Sequence, residues 1–302
     1  MDNQFTFLKR RQDFEQQHFD NKNVENILKS IFVVDVSTTD LCNRTCVFCP
    51  RHDPSVYPNR KLHMTGSGAQ IVAKKFGEID YSGTIALSGF GENLLNPNIL
   101  DIVKAFRNYV PKSFIECNTN GDPLNASLAE SLVNAGVDCI NINLYDGPHQ
   151  IEKFDTITKQ LPENAFKYRV HWGSEDFGLI YNNRSGVIQW LDHKQSNNNK
   201  GCYYPFYKMF VDWNGDVLFC ANDWGRERVV GNLLQQSILE IWMSSEMKKI
   251  RLKLTNQGRV LSPCDKCNVD GLLVGKQSHD ILMDFYNENT SNRKFKASRS
   301  NS

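Results

Sequence analysis

Short apolar runs alternate with helix-length segments of mixed polarity between residue 31 and about residue 172. Strands that alternate with helices predict parallel pairing through right-handed crossovers. The pattern therefore predicts an α/β fold whose functional residues lie on the loops that follow the carboxyl ends of the strands. The predicted strands are 31–37, 84–88, 113–117, 139–144 and 167–172, and the predicted helices are about 67–80, 97–109, 124–135 and 150–161.

The segments on either side of this pattern predict three further regions. Residues 1–30 predict an N-terminal helical extension, to which we assign no chemistry. The periodicity lapses after residue 172, and the polar run at 194–200 predicts an exposed connection with a domain boundary near residue 195. Residues 196–277 then predict a small second domain, and residues 278–302 predict a frayed or disordered tail. The candidate packing residues of the N-terminal extension are Phe14, Phe19, Val24, Ile27 and Leu28.

The small domain has its own local signals. Two strand-like runs, 208–212 and 216–220, flank the pair Asn214-Gly215. An Asn-Gly pair between two such runs is a strong signal for a β-hairpin. An amphipathic segment at about 237–254 follows and predicts one helix.

Composition limits the class of protein. The chain has 302 residues, 40% hydrophobic and 23% charged, which is typical of a soluble globular protein. Its net charge of +1 does not indicate binding to nucleic acid or to an anionic membrane. The N-terminus lacks a signal-peptide core, and no apolar run approaches the ~20 residues of a membrane span. Nine cysteines in such a chain favour metal binding over disulfides, and they predict the reducing cytoplasm.

Cys42, Cys46 and Cys49 lie just after the first predicted strand. Three converging thiolates can hold three irons of a [4Fe-4S] cluster and leave the fourth iron open to a small molecule. A zinc knuckle and a disulfide framework are the alternatives. Zinc requires four ligands, and His52 is the one obvious fourth ligand nearby.

Four more cysteines lie in the second domain. The predicted hairpin brings Cys202 and Cys220 to neighbouring positions, and Cys264 and Cys267 form a C-x2-C turn. Together they predict a four-thiolate site, which suits either zinc or a [4Fe-4S] cluster. Cys117 and Cys139 lie within apolar runs and are interpreted as buried packing thiols.

The C-x3-C-x2-C spacing, with Phe48 before the third cysteine, resembles the radical S-adenosylmethionine (SAM) superfamily. In that family the open iron chelates SAM, and one electron cleaves SAM to methionine and a 5′-deoxyadenosyl radical that abstracts a substrate hydrogen. The resemblance implies a partial (β/α)6, TIM-like barrel over residues 31–195. It also implies that Phe48 lies at the SAM site.

Three strand ends carry further motifs of this resemblance. The sequence Gly89-Phe90-Gly91-Glu92-Asn93 resembles the Gly-Gly-Glu segment that contacts the SAM amino group, although Phe90 replaces a glycine and Asn93 a proline. Gly91 and Glu92 are therefore expected to contact that group, with Glu92 as its acceptor. The resemblance implies SAM contacts for three asparagines, which capping of turns would also explain; they are Asn118, Asn120 and Asn143. His171, at the end of the fifth strand, is interpreted as a structural histidine.

The intervals of 18, 44 and 3 residues between the last four cysteines resemble the twitch domain, a shortened SPASM domain of radical SAM enzymes. That resemblance implies an auxiliary [4Fe-4S] cluster with protein ligands only. Among twitch enzymes the spacing is similar to that of dehydrogenases that oxidise a cyclitol alcohol. Arg184 falls where such enzymes have a substrate-site arginine, and a surface arginine is the alternative.

These features predict a radical SAM oxidoreductase that oxidises a secondary alcohol of a sugar, cyclitol or nucleotide sugar. A flavodoxin or ferredoxin is expected as electron donor, with neither nucleic acid nor membrane as partner. Dehydration, epimerisation and peptide modification are alternative radical outcomes. A non-catalytic zinc or iron–sulfur protein is the alternative of another class.

Overall fold

The computed structural model describes residues 4–20, 27–172, 182–190 and 200–299. The described residues up to 172 form five strands and five helices longer than one turn. In chain order they are α1 (Gln4–Asp20), β1 (Val33–Val36), α2 (Gly66–Glu78), β2 (Thr84–Leu87), α3 (Ile99–Tyr109), β3 (Phe114–Thr119), α4 (Ala126–Ala135), β4 (Cys139–Leu144), α5 (His149–Thr158) and β5 (Phe166–Val170).

Strands β1 to β5 form a parallel sheet in which each strand pairs with its neighbours in the chain. Local signals fix the helices that connect them. The Thr65 side chain accepts a hydrogen bond from Gly68 N at the start of α2, and Asn125 does the same for Leu128 N at the start of α4. The predicted strands and helices of the barrel are confirmed, with ends that differ by a few residues.

The second part of the chain continues the same sheet. Its elements are α6 (Tyr204–Tyr207), β6 (Lys208–Val211), β7 (Asp216–Leu218), β8 (Val229–Asn232), α7 (Ile238–Trp242), α8 (Ser245–Asn256) and α9 (Lys276–Arg299). The strand order is β5-β4-β3-β2-β1-β6-β7-β8.

Strand β6 pairs in parallel with β1, so the first strand of the predicted hairpin supplies the sixth parallel strand. The described part of 31–195 holds five strands, one fewer than a (β/α)6 unit. The partial, TIM-like barrel is thus completed from the C-terminal region. The predicted boundary near residue 195 falls in 191–199, outside the described residues.

The hairpin and the helix that follows it were predicted from local sequence. Strands β6 and β7 are antiparallel, and Gly215 takes φ +83° in the turn, a conformation that suits glycine. The single helix expected at about 237–254 is instead two helices, because Ser244 breaks it. The Ser244 side chain accepts a hydrogen bond from Met247 N and so starts α8 as a new helix.

The N-terminal helix α1 packs against the amino ends of the barrel strands, and it also reaches the cavity described below. Phe14 contacts Phe114 with ring centroids 5.4 Å apart, and Arg11 forms an ion pair with the buried Glu116. Glu15 accepts a hydrogen bond from Gly275 N at 2.9 Å and ties α1 to the C-terminal region. Predicted packing residue Val24 lies outside the described residues.

The segment expected to be a frayed or disordered tail from residue 278 is helical as α9 through Arg299, and residues 300–302 lie outside the described residues. Helix α9 buries Ser278, Leu282 and Tyr286, which are spaced four residues apart and lie on one helix face. The Tyr286 hydroxyl accepts a hydrogen bond from the fully buried Arg251 at 2.9 Å. The low apolar content of this segment did not predict a helix. Three buried residues at a spacing of four are nevertheless enough to anchor it. No helix among the described residues is long and apolar enough to cross a membrane.

Candidate active site

The first cysteine site lies on the loop that leaves the carboxyl end of β1. Cys42, Cys46 and Cys49 are free and partly exposed. Burial and the neighbouring thiols Cys49 and Cys42 raise the pKa of Cys46 to about 11. Three neighbouring thiolates repel one another. Iron would displace the thiol protons, and its positive charge would offset the repulsion among the thiolates.

Arg44, between the first two cysteines, clamps this loop onto the ends of β3 and β4. Its guanidinium donates to both oxygens of Asp122 at 2.6 Å and to both oxygens of Asp146 at 2.8 and 2.7 Å. Hydrogen bonds that Arg44 donates to Asp146 and Asp122 raise the pKa of its guanidinium, so the clamp stays charged. Sequence reasoning missed this clamp, although both aspartates directly follow strand-end motifs that it had singled out.

The glycine-containing loop after β2 presses against the cysteine loop. Glu92 N donates to Leu41 O at 2.8 Å, and a Cβ at Gly91 would lie 2.6 Å from the same oxygen and still closer to Thr39 O. A side chain at position 91 would therefore clash with the backbone of the cysteine loop, and glycine permits the close approach. This approach is to the cysteine loop, while contact with SAM stays a prediction.

The Glu92 carboxylate is buried and hydrogen-bonded within the protein. It is 3% exposed and accepts hydrogen bonds from Thr119 Oγ1 and Asn120 N at 2.7 Å and from Leu94 N at 3.1 Å. Burial raises the pKa of Glu92. The side chain braces β3 against the glycine loop, and its contact with the ammonium group of SAM stays a prediction.

Replacing Gly91 with alanine is expected to destabilise the protein by roughly 1–3 kcal/mol, because two backbone carbonyls must move. Urea unfolding under reducing conditions measures this change. Gly66→Ala is the matched control, since its Cβ would lie 3.4 Å from the nearest atom, Asp101 Cβ. Equal unfolding midpoints for the two variants would contradict the proposed tight approach.

A cavity of about 470 Å³ opens at the carboxyl ends of the strands and extends into the barrel. Phe48 forms part of its wall and stacks on Tyr145 and His171, with ring centroids 5.8 and 5.9 Å away. The cavity therefore combines an aromatic wall beside the cysteine loop with polar strand ends. The predicted residues that line it are Phe48, Asn118, Asn143 and Arg184, and residues not predicted there include Arg11, Tyr145, Arg169 and Lys208.

The three predicted asparagines differ in their surroundings. Asn118 lines the cavity, whereas Asn120 donates to Asn43 Oδ1 at 2.8 Å and lies 3.9 Å from Cys42 Sγ. Asn143 lines the cavity, donates to Thr119 O at 2.9 Å and accepts from His171. Asn120 therefore supports the cysteine loop, and SAM contact stays a prediction for all three asparagines.

His171 belongs to this cavity and is not only structural. Its Nε2 lies 2.9 Å from Asn143 Oδ1, and its Nδ1 is buried without a hydrogen-bond partner among the described residues. Burial, aided by the positive charge of Arg169, lowers the pKa of His171 from 6.5 to about 3. The imidazole is therefore neutral at pH 7, with Nε2 as the donor to Asn143.

This depressed pKa predicts a loss of stability on acidification. The unfolded chain binds a proton on His171 as the pH falls through 6.5, whereas the folded chain does not do so until about pH 3. His171→Gln should therefore reduce the fall in unfolding free energy between about pH 7.5 and 5.5 by roughly 1 kcal/mol. Urea titrations across this range measure the slope, with the exposed His149→Gln as control. Parallel curves for wild type and His171→Gln would contradict the prediction.

The second cysteine site gathers the other four predicted ligands. Burial raises the pKa of Cys202 to about 11 and also raises the pKa values of Cys220 and Cys264, and the neighbouring thiols add to the rise. Cys267 is one of those neighbours for all three. The four thiols are therefore electrostatic neighbours, and their role as ligands of one metal site stays a prediction.

Two features surround this second site. A Cβ at Gly271 would overlap Cys202 Sγ, so the chain passes tightly over that thiol. Arg259, 2% exposed, donates to Cys267 O at 3.0 Å and places a buried cation beside the thiols. Sequence reasoning missed Arg259, which no motif marks.

Arg184 lies in the cavity near the first cysteine site. Its side chain lines the cavity, and its Nε is buried without a hydrogen-bond partner in the described residues. Burial raises the pKa of Cys49, and the charge of Arg184 opposes that rise, which places the guanidinium within electrostatic range of the first site.

The residues present fit two clusters and SAM. Cys42, Cys46 and Cys49 would hold the first cluster and leave one iron open to SAM in the cavity. Among the described residues, His171 Nδ1 and Arg184 Nε have no hydrogen-bond partner, so both atoms are open to hydrogen bonds with ligands in the cavity. The second cluster would be held by Cys202, Cys220, Cys264 and Cys267.

Comparisons with known proteins agree with this geometry. A radical SAM superfamily model matches residues 36–168, and a model of the SPASM iron–sulfur cluster-binding domain matches residues 202–268. The S-adenosyl-L-methionine-dependent 2-deoxy-scyllo-inosamine dehydrogenase of Niallia circulans is 27% identical over 256 residues, which cover 84% of this chain and 99% of that protein. A GTP 3′,8-cyclase of Marinobacter nauticus is 31% identical over 131 residues, 43% of this chain and 38% of that protein.

Solved structures show the same fold. The crystal structure of BtrN in complex with AdoMet and 2-DOIA aligns with a TM-score of 0.68 and 25% identity, covering 82% of this chain and 96% of that one. Native anSMEcpe with bound AdoMet aligns with a TM-score of 0.50 and 12% identity, covering 72% of this chain and 82% of that one. The second likeness concerns the fold alone.

The two family models together match about two thirds of the chain, and they contain all seven predicted metal ligands. A radical SAM domain implies a [4Fe-4S] cluster and SAM, and a SPASM domain implies an auxiliary iron–sulfur cluster. The chain belongs to the radical SAM superfamily and carries a SPASM-type iron–sulfur cluster-binding domain.

Proposed function

We propose that this enzyme is a radical SAM dehydrogenase that oxidises a secondary alcohol of a cyclitol or sugar-like substrate. The observation that carries the proposal is the second site, where four cysteines converge beside the cavity. Four thiolates satisfy all four irons of a cubane, so that cluster has no free iron for substrate and is suited to electron transfer. Similarity to the Niallia circulans dehydrogenase over most of both chains supports the same reaction class.

The two sites divide the work of a two-electron oxidation. When bound, the first cluster and SAM supply a 5′-deoxyadenosyl radical, and the second cluster supplies an acceptor for one electron. Loss of a hydrogen atom, a proton and an electron converts an alcohol to a ketone. The balance predicts one SAM consumed for each carbonyl formed.

The residues of the cavity orient the substrate and keep it near both sites. The Arg184 guanidinium donates hydrogen bonds to the substrate oxygen and stabilises negative charge that develops there. Phe48, Tyr145 and His171 form the aromatic wall that excludes water from the reacting carbon. His171 is neutral at pH 7 and holds Asn143 in place for the predicted SAM contact.

The electron donor and compartment follow from the same chemistry. A reduced flavodoxin or ferredoxin is the proposed donor, because the first cluster must be reduced before SAM is cleaved. Nine free cysteines and two clusters are suited to the reducing cytoplasm. The net charge of +1 supports no role for nucleic acid or an anionic membrane.

The test is product analysis with anaerobically reconstituted enzyme, SAM and dithionite. Candidate substrates are aminocyclitols, neutral cyclitols, nucleotide sugars and a peptide, and we expect equal amounts of 5′-deoxyadenosine and a carbonyl product from the first two classes. Arg184→Met should lower the product formed per 5′-deoxyadenosine roughly 100-fold, and Arg184→Lys should restore part of it. A redox-neutral product with recovered SAM would contradict the dehydrogenase proposal.

A further inference from the structure

Residues 182–190 form a bridging segment between the two cysteine sites. At one end, Trp190 Nε1 donates to Val47 O at 2.7 Å, on the loop that carries Cys46 and Cys49. At the other end, Asn183 contacts the loop that carries the C-x2-C turn. The bridging segment is thus fastened to both metal-binding loops, with Arg184 next to one of the attachment points.

The attachment of Asn183 is reciprocal. Asn183 N donates to Asn268 Oδ1 at 2.8 Å, and Asn268 N donates to Asn183 Oδ1 at 3.3 Å. Asn183 Nδ2 also donates to Lys266 O at 2.6 Å. Asn183 is 5% exposed, and a Cβ at Gly186 would lie 2.7 Å from Lys266 Cβ, so the two loops pack closely. We call this set of contacts the asparagine latch.

The turn after the latch needs such external support. Arg184 and Ser185 have φ values of +48° and +56°, which are unfavourable for residues other than glycine. Each such residue costs roughly 1–2 kcal/mol, so the turn persists because its surroundings hold it. Its position sends the Arg184 side chain into the cavity, where the charge reaches Cys49.

We propose that Asn183 and Asn268 are positioning residues that hold Arg184 between the two cysteine sites. Asn268 follows Cys267 directly, so metal ligation that orders this loop also orders the bridging segment. Metal binding at the second site is thereby coupled to the position of the Arg184 side chain. The coupling to substrate turnover rests on the proposed function, whereas the latch itself does not.

Hydrogen exchange of the reconstituted holoenzyme tests the latch. Asn268→Leu removes the acceptor for Asn183 N at similar size, and Asn268→Asp keeps that acceptor. Loss of one hydrogen bond to a backbone amide should speed exchange in residues 183–188 roughly five-fold in the leucine variant. The aspartate variant should restore the wild-type rate, with iron content equal in all three proteins.

Asn183→Ala provides a second variant, which removes the side-chain half of the latch without changing the sequence of the cysteine loop. It should speed exchange in the same residues and lower the carbonyl product formed per 5′-deoxyadenosine several-fold, while SAM cleavage without substrate stays unchanged. Cys267→Ser, which opens the second site, should speed exchange in the bridging segment as well.

Two results would overturn the proposal. One is equal exchange in wild type, Asn268→Leu and Asn183→Ala, and the other is an aspartate variant that behaves like the leucine variant. A wild-type enzyme that forms no ketone, but whose exchange follows the predicted order, would refute the dehydrogenase function and leave the latch intact.

Discussion

Replacing Cys46 with serine is expected to reduce 5′-deoxyadenosine formation to background, a fall of roughly 1,000-fold or more. The thiol is one of three that the loop after β1 presents, and three are needed to hold a cubane with one open iron. Iron content should fall from about eight to about four atoms per chain, because the second site is untouched. Anaerobic reconstitution, iron analysis and chromatography of the SAM products measure both quantities.

Cys117→Ala is the matched control for this substitution. Cys117 is fully buried in the core of the sheet, and burial together with Glu92 raises its pKa, so it is a packing thiol and not a ligand. The control should keep its iron and its SAM cleavage, at some cost in stability. Full activity of Cys46→Ser, or loss of iron from Cys117→Ala alone, would contradict the assignment of the first site.

Replacing Cys264 with serine should separate SAM cleavage from product formation. The second site then loses a ligand and its cluster, so the acceptor for the second electron is absent. Cleavage of SAM should stay within a few-fold of wild type, while carbonyl product per 5′-deoxyadenosine should fall roughly 10- to 100-fold. Product and 5′-deoxyadenosine are quantified in the same reaction.

The control for the second site is Cys139→Ala. Cys139 is 2% exposed on β4 and lies 3.7 Å from Asn141 Oδ1, outside both cysteine sites. The carbonyl product that Cys139→Ala forms per 5′-deoxyadenosine should equal that of wild type. If Cys264→Ser also forms one carbonyl product per 5′-deoxyadenosine, the second site does not accept the electron and the role proposed for it is wrong.

Features encoded over short stretches were predictable from the sequence. The parallel strands follow from apolar runs and the hairpin from Asn214-Gly215. The first cysteine site follows from spacing on the loop after the first strand, and the second from the hairpin and the C-x2-C turn. Each of these signals lies within a few residues of the feature that it determines. The architecture of the site was therefore predictable before any tertiary contact was known.

Contacts between distant parts of the chain were not predictable. Arg44 meets Asp122 and Asp146 across 78 and 102 residues, and nothing local distinguishes these carboxylates from surface aspartates. Strand β6 pairs with β1, and an isolated hairpin sequence does not reveal which edge it joins.

The hydrogen bonds of Glu92 within the protein were not predictable for a related reason. A motif identifies the residue but not the direction of its side chain, and here Thr119 and the backbone of β3 bind the carboxylate. The helix α9 was missed because its buried positions are few, although their spacing of four residues was present in the sequence.

Whether Cys42, Cys46 and Cys49 leave an iron open to SAM can be decided by electron paramagnetic resonance. The Cys264→Ser variant, reconstituted without oxygen and reduced with dithionite, isolates the first cluster. Addition of SAM should change the g-values of its signal, followed by formation of 5′-deoxyadenosine. An identical spectrum at saturating SAM, with no 5′-deoxyadenosine formed, would contradict a SAM-binding cluster at this loop.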